Sequence, residues 1–299
     1  MNPKERVIGI IYATASVFSW GVYLPYAKII LAKLSPSVFL TFRLSIGAIT
    51  LLLLSLILKR PFHFKAKDLL WIVVAGTIGI ILHQLLQLKS LEHTTATNVG
   101  WILTLIPAAT GLLAWIFLKE KISPQQIVGL LIAMTGLALF VSRGNPRNLS
   151  FIRNYGDFLS FVSIFTWAFY SIITKHILNK YDAMPISTVH MALGFLFFLT
   201  ISVNNIPSQI ATLDLHEWVI LLLIGLIPSG MAYFWWNAGL KKLSAMTTSM
   251  FIFPEAVFAS AAGHIILGES FTKSMLLFSV IIFTGVYVSV RGKTTLNKS

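Results

Sequence analysis

The chain has 299 residues, of which 56% are hydrophobic and 11% charged, with 23 Lys and Arg against 10 Asp and Glu for a net charge of +13. A soluble domain would carry about a quarter charged residues, so an ordinary globular protein is excluded and a polytopic membrane protein is indicated. The absence of cysteine excludes disulfides, thiol catalysis and Cys-ligated metal, and the basic residues lie in short loops beside apolar stretches, where orientation and anionic lipid explain them better than nucleic acid.

Breaks at charges, Pro and Asn divide the sequence into ten apolar segments, at about 7–27, 36–58, 68–90, 94–118, 124–142, 155–178, 184–204, 216–239, 244–267 and 273–291. Each is near the ~20 residues a bilayer demands. Continuous apolar runs of this length are predicted to be helices, because each backbone amide needs a partner within its own segment. The opening MNPKER resembles the start of a signal peptide, with Ala13-Thr14-Ala15 as a cleavage site. Only Val7–Tyr12 lies between the charges and that tripeptide, short of the roughly 7 residues such a region requires, so the first segment is read as an uncleaved span.

Segment one contains Ser16–Lys28, SVFSWGVYLPYAK, and segment six answers it with Ser163–Lys175, SIFTWAFYSIITK. Ser16, Phe18, Trp20, Tyr23 and Lys28 fall opposite Ser163, Phe165, Trp167, Tyr170 and Lys175 at a constant offset of 147 residues. The register extends to Gly9 and Gly156, Thr41 and Thr188, Gly47 and Gly194, Trp71 and Trp218, and Pro107 and Pro254. Two further residues then intervene, and Leu118 and Glu120 of LKEK meet Leu267 and Glu269 of LGES. Matches at one offset over so long a stretch are the mark of an internal duplication. The organisation expected is a first five-helix repeat over 1–144, a linker over 145–154, a second repeat over 155–292 and a tail over 293–299. Five spans per copy is an odd number, so the copies face opposite ways across the membrane, the inverted-repeat plan of secondary transporters. With the N-terminus inside, 15 Lys and Arg fall on inner segments and 7 on outer ones, which places both termini in the cytoplasm; Arg143, Arg147 and Arg153 between segments five and six oppose that choice.

These features resemble the ten-helix EamA-like permeases of the drug/metabolite transporter superfamily. There the first helix of each repeat carries a Trp-Gly-like step, here Ser19-Trp20-Gly21 and Thr166-Trp167-Ala168. The second carries an Arg, here Arg43, and the fourth carries a mid-helix Pro and ends in Leu-Gly-Glu, here Pro107 with Leu118-Lys119-Glu120 and Pro254 with Leu267-Gly268-Glu269. The resemblance spans residues 7 to 291. Two positions depart from it: Lys119 replaces a Gly, and His190 stands where the register would repeat Arg43. It implies an exporter of small metabolites such as amino acids, with a multidrug or toxic-cation exporter as the alternative. It also implies a cell inner membrane location, the compact chain being read as bacterial.

Glu255 is the first candidate site residue, because it follows Pro254 about 11 residues into segment nine, ~16 Å deep and close to the midplane. A carboxylate there costs ~2.5 kcal/mol or more; the group serves either, protonated, as a hydrogen-bond donor to a carbonyl freed by Pro254 or as a substrate ligand or proton acceptor. Arg43 lies about seven residues into segment two, where snorkelling and substrate contact are both open, and His190 sits at similar depth. Segment three offers His83, Gln84 and Gln87, as ligands or as interhelical hydrogen bonders. Trp20 with Tyr23, Trp167 with Tyr170, Trp101, and the cluster Tyr233, Trp236 and Asn237 are read as a cavity lining for amphipathic solutes, with plain packing as the alternative.

Segments five and ten hold nothing more polar than Ser, Thr and Tyr in their interiors, and the small pairs Gly129 with Ala133 and Gly285 with Ser289 mark them as packing helices. No HExxH, GxSxG, phosphate loop or carboxylate cluster is present, so neither enzyme chemistry nor a metal or cofactor is expected. Nothing in the sequence supports an intramembrane enzyme using His and Glu, and a scaffold or receptor would leave the inverted repeat, the mid-helix prolines and the midplane acid without a purpose. The expected partners are a small-molecule substrate and the bilayer, not nucleic acid, with proton coupling through Glu255 as an option.

Overall fold

A computed structural model describes residues 3–149 and 152–292; the 293–299 tail and two residues of the expected linker lie outside the described residues. Ten helices are long and apolar enough to cross a membrane: α1 (Pro3–Leu31), α2 (Pro36–Ile57), α3 (Ala66–Leu91), α4 (Asn98–Phe117), α5 (Pro124–Val141), α6 (Tyr155–Leu178), α7 (Ala183–Ser202), α8 (Leu215–Lys242), α9 (Ala245–Leu267) and α10 (Lys273–Arg291). They match the ten apolar segments of the sequence, and the described residues contain no strand. Leucines and valines on the periphery, such as Leu277 and Val280 of α10, stay exposed because lipid, not water, faces them.

Local chemistry sets the ends. Ser123 and Gln126 form a reciprocal capping box ahead of α5, and Asp214 and Glu217 form another ahead of α8. The Leu-Gly-Glu element acquires a physical meaning at the end of α9. Gly268 closes that helix in the left-handed region, with φ 67°, and its counterpart Lys119 adopts φ 53° after α4. Both copies therefore stop on a left-handed residue, a conformation that glycine accepts freely and lysine does not.

The most extensive helix contacts all join the first five helices to the last five: α5 with α10, α2 with α7, α1 with α8 and α9, and α6 with α3 and α4. This pairing maps onto itself when helices five apart are exchanged. In the α5–α10 seam a Cβ on Gly285 would strike the backbone of Ala133 and Gly129, and one on Gly129 would strike that of Ser289 and Gly285. The small residues are what lets these two backbones touch.

Four helices are irregular at mid-membrane, in counterpart pairs. α3 widens into a π-helical turn over Thr77–Leu82 and α8 into another over Gly225–Met231, the latter around Pro228. α4 tightens at Thr104 and Leu105, whose amides reach back only three residues, just before Pro107. α9 passes through a 3-10 turn, Met250–Ile252, just before Pro254. Each proline lacks an amide and crowds the preceding turn. The freed backbone groups are tolerated at this depth because they are enclosed by protein.

Candidate substrate site at the centre of the bundle

The interruptions bring four helices together around a nucleus of aromatic rings. Trp20 of α1 meets Trp167 of α6 at 5.6 Å between centroids, Tyr233 of α8 at 5.2 Å and Trp236 of α8 at 5.4 Å. Trp167 in turn meets Trp236 at 5.6 Å, Tyr170 at 5.1 Å and His83 of α3 at 5.1 Å. The Trp20 indole donates to the Pro228 carbonyl oxygen at 2.9 Å, a group that the π-helical turn leaves available. The indole N–H groups of Trp167 and Trp236 are buried and have no hydrogen-bond acceptor. A buried donor without a partner costs about 1–3 kcal/mol, so two of them side by side are a place where an acceptor on a solute would be favoured.

Arg43 sits at the edge of this nucleus. It is 3% exposed, its Nε donates to Ser229 Oγ at 2.9 Å, one Nη donates to the Tyr23 hydroxyl at 3.0 Å, and its guanidinium carbon lies 4.9 Å from the Tyr23 ring centroid. No carboxylate pairs with it among the described residues. Glu255 is half-buried at the start of the second stretch of α9 and makes no hydrogen bond or ion pair among the described residues. Gly21 explains its position, since a Cβ there would stand 2.6 Å from Phe258 Cβ and 2.8 Å from the Glu255 carbonyl oxygen, so α1 lies directly on this turn of α9. A guanidinium and a carboxyl group, each without a charged partner among the described residues, thus belong to turns that pack on the same stretch of α1, residues 21–23, next to Trp20.

The opposite flank is hydrogen-bonded at all of its named polar side-chain atoms except His190 Nδ1. The Tyr170 hydroxyl donates to Asn237 Oδ1 at 3.0 Å, and the Asn237 amide donates to Ser187 Oγ at 2.8 Å. His190 is fully buried, 5.4 Å from the Tyr170 ring, with Nε2 3.1 Å from the Ile72 carbonyl and Nδ1 without a partner. His83 Nδ1 lies 3.1 Å from the Ser163 carbonyl and 3.0 Å from Thr166 Oγ1, while Gln87 donates to Ser163 Oγ at 2.8 Å.

Of the residues singled out in the sequence, Trp20, Trp167, Tyr170, His190, Tyr233, Trp236 and Asn237 form one connected group; Tyr23 and Arg43 form a pair held to α8 through Ser229, and Glu255 lies on the turn of α9 packed against Gly21. Gln87 ties α3 to α6 beside it. Gln84 makes no hydrogen bond among the described residues, and Trp101 packs on the edge of the core without a ring contact to the group. Sequence reasoning missed Ser229 and the Pro228 carbonyl; Pro228 in mid-segment was the available signal, of the same kind that drew attention to Pro107 and Pro254. No group of three or more metal-ligating side chains occurs among the described residues.

The profile of the EamA-like transporter family matches residues 7–142 and again 154–291, so each half of the chain carries one copy. The chain belongs to the EamA-like transporter family and is a multi-pass membrane transporter. Among its relatives, an uncharacterized transporter of Archaeoglobus fulgidus is 28% identical over 277 residues, covering 92% of this chain and 96% of the relative. The uncharacterized transporter YyaM of Bacillus subtilis is 25% identical over 251 residues, 83% and 82% of the two chains. A probable terminal-alkyne amino-acid exporter of Streptantibioticus cattleyicolor is 24% identical over 262 residues, 85% and 84%. A crystal structure aligns with a TM-score of 0.78 over 96% of both chains at 15% identity, which shows a shared fold.

Proposed function

We propose that this protein exports small amphipathic metabolites, amino acids first among them, from the cytoplasm across the cell inner membrane. The two halves are read as inverted repeats that expose the central site to each side in turn, with both termini cytoplasmic. The observation that carries the reading is that two intramembrane groups without charged partners among the described residues, Arg43 and Glu255, both lie against the stretch of α1 that holds Trp20, Arg43 through Tyr23 and the Glu255 turn through Gly21. An ionisable group at that depth is retained for function, and this pair suits the carboxylate and the ammonium of one zwitterion, with the rings taking its side chain. The name of the Streptantibioticus relative supports the same substrate class.

A second reading, export of lipophilic cations, is favoured by Glu255 having no charged partner among the described residues on the turn of α9 packed against Gly21, next to Trp20, where cation–π attraction from the rings would add to its charge. Counterflow in liposomes with a panel of amino acids and cationic drugs decides between them. Exchange of amino acids that Arg43→Met abolishes supports the first. Exchange of cations alone, insensitive to Arg43→Met, replaces it with the second.

A further inference from the structure

The two ends of α9 carry the same two residue types in different states. Where α8 turns into α9, Lys175 of α6 donates to the carbonyl oxygens of Leu240 at 2.6 Å and Leu243 at 2.5 Å, at the C-terminus of α8. Glu120, just past α4, accepts from the Ala245 amide at 3.0 and 3.2 Å, at the N-terminus of α9. A cation on the carbonyl end of one helix and an anion on the amide end of the next satisfy backbone groups that no helix can satisfy for itself. Both side chains are sealed in, Glu120 at 4% and Lys175 at 8% exposure. Burial, the largest influence, pushes the Glu120 carboxyl above its ordinary range, while the Lys175 charge and the Ala245 and Met246 amides pull it back. The pair therefore fastens the α8–α9 turn onto α4 and α6, and Gln126, donating to Thr247 Oγ1 at 3.1 Å, holds it from a third side.

The register of the two repeats makes Lys28 the counterpart of Lys175, and Glu269 the counterpart of Glu120. At this other end of α9 they bond to each other at 3.0 Å, with their side chains 70% and 49% exposed. They line a cavity of about 200 Å³ between α1 and α9, together with Pro25, Ala259 and Ser260. The turn they would fasten by analogy, α3–α4, is held instead by Asp157, which accepts from Thr94 Oγ1 and Asn98 Nδ2 at 2.5 Å each.

We propose that Glu120 with Lys175 and Glu269 with Lys28 are counterpart latches, one at each end of the transport pathway, and that only the first is fastened in this conformation. In the opposite conformation Lys28 caps the C-terminus of α3 and Glu269 the N-terminus of α4, where Asn98 is the counterpart of Ala245. The alternation of the two latches rests on the alternating-access reading above. The structure described is then the state open at the Lys28–Glu269 end and sealed at the Glu120–Lys175 end.

Because the chain has no cysteine, single cysteines report directly on each end. Ser260→Cys lines the open cavity, and Leu113→Cys reports on the stretch of α4 leading to the fastened latch, where Leu113 is 7% exposed. In proteoliposomes probed with a membrane-impermeant maleimide from either face, Ser260→Cys reacts faster in the parent protein. Adding Lys175→Met, or separately the isosteric Glu120→Gln, raises the Leu113→Cys rate and lowers the Ser260→Cys rate. The expected change is about tenfold, the scale of one charge-assisted hydrogen bond removed from one of two states. Lys28→Met shifts both rates the other way. Rates unchanged in variants that remain monodisperse overturn the latches. The labelling needs no solute, so the two readings fail separately: flux that persists with unchanged labelling sinks the latches alone, and latch-dependent labelling without flux of any solute sinks the transport reading alone.

Discussion

Trp20 and Trp167 stand at the same place in the two sequence repeats and meet in space, with ring centroids 5.6 Å apart and planes 79° to one another. The two are nonetheless unequal, for the Trp20 N–H has the Pro228 carbonyl as acceptor and the Trp167 N–H has none. The centre of the protein is thus symmetric in shape and asymmetric in hydrogen bonding.

That inequality predicts different consequences for one substitution. Trp20→Phe should cost roughly 1 kcal/mol more stability than Trp167→Phe, since only the first removes a satisfied hydrogen bond. Flux should fall more than stability in Trp167→Phe. Thermal unfolding in detergent together with liposome counterflow measures both, and equal destabilisation with unimpaired flux in Trp167→Phe would return that indole to a packing role.

Arg43 and Glu255 should separate binding from folding. Arg43→Lys cannot reach Ser229 and Tyr23 together, so a loss of about tenfold in apparent substrate affinity is expected, the scale of one hydrogen bond to a charged group. Glu255→Gln keeps size and polarity but cannot ionise, and should lose substrate binding or the pH response of flux while remaining monodisperse. Glu92→Gln, exposed beside Lys89, is the silent control. Counterflow over about pH 5.5–8.5, a span around neutrality, would sink the assignment if Glu255→Gln kept parental affinity and pH response.

The ten spans were legible because apolar runs of bilayer length are a one-dimensional signal, and Pro107 and Pro254 marked where α4 and α9 are interrupted. The two π-helical turns were not legible, since an added residue in a turn leaves no periodic trace in an apolar run. Ser229 and the Pro228 carbonyl become site groups only through that turn. Glu120 stands just past the end of segment four and Lys175 near the end of segment six, and the α8–α9 turn folds over both, a tertiary event that spacing along one helix does not encode. Gln84 and Trp101 lie on faces that helical spacing alone did not distinguish from the inward ones.

Lys119 carries a backbone strain that can be relieved. It occupies φ 53° where the second copy has Gly268. Lys119→Gly is expected to stabilise the protein by about 1 kcal/mol, and Gly268→Ala to destabilise it by a similar amount. Midpoints of thermal unfolding check the pair, and a neutral Lys119→Gly would show that the lysine stem's contacts offset the strain.

The α5–α10 seam should tolerate nothing larger than what it has. Gly285→Leu must push two backbones apart, costing about 1–3 kcal/mol or more, whereas Leu277→Ile on the lipid face of the same helix should be silent in both stability and substrate ranking. A stable, monodisperse Gly285→Leu would mean the helices separate more easily than their contact implies.

The crossing of every major helix pairing between the two halves has a consequence for biosynthesis. Gly129 leaves the ribosome well before its partner Gly285 exists, and α1 precedes α8 and α9 by longer still. At about 5–20 residues per second that interval is roughly 10–30 s. During it five inserted helices have no lasting partners for their inward faces, including the buried charge of Arg43. The newborn first half must therefore be chaperoned by lipid, by the insertion machinery or by another nascent copy, and a chain truncated after α5 should be a substrate for membrane quality-control proteases rather than a half-sized carrier.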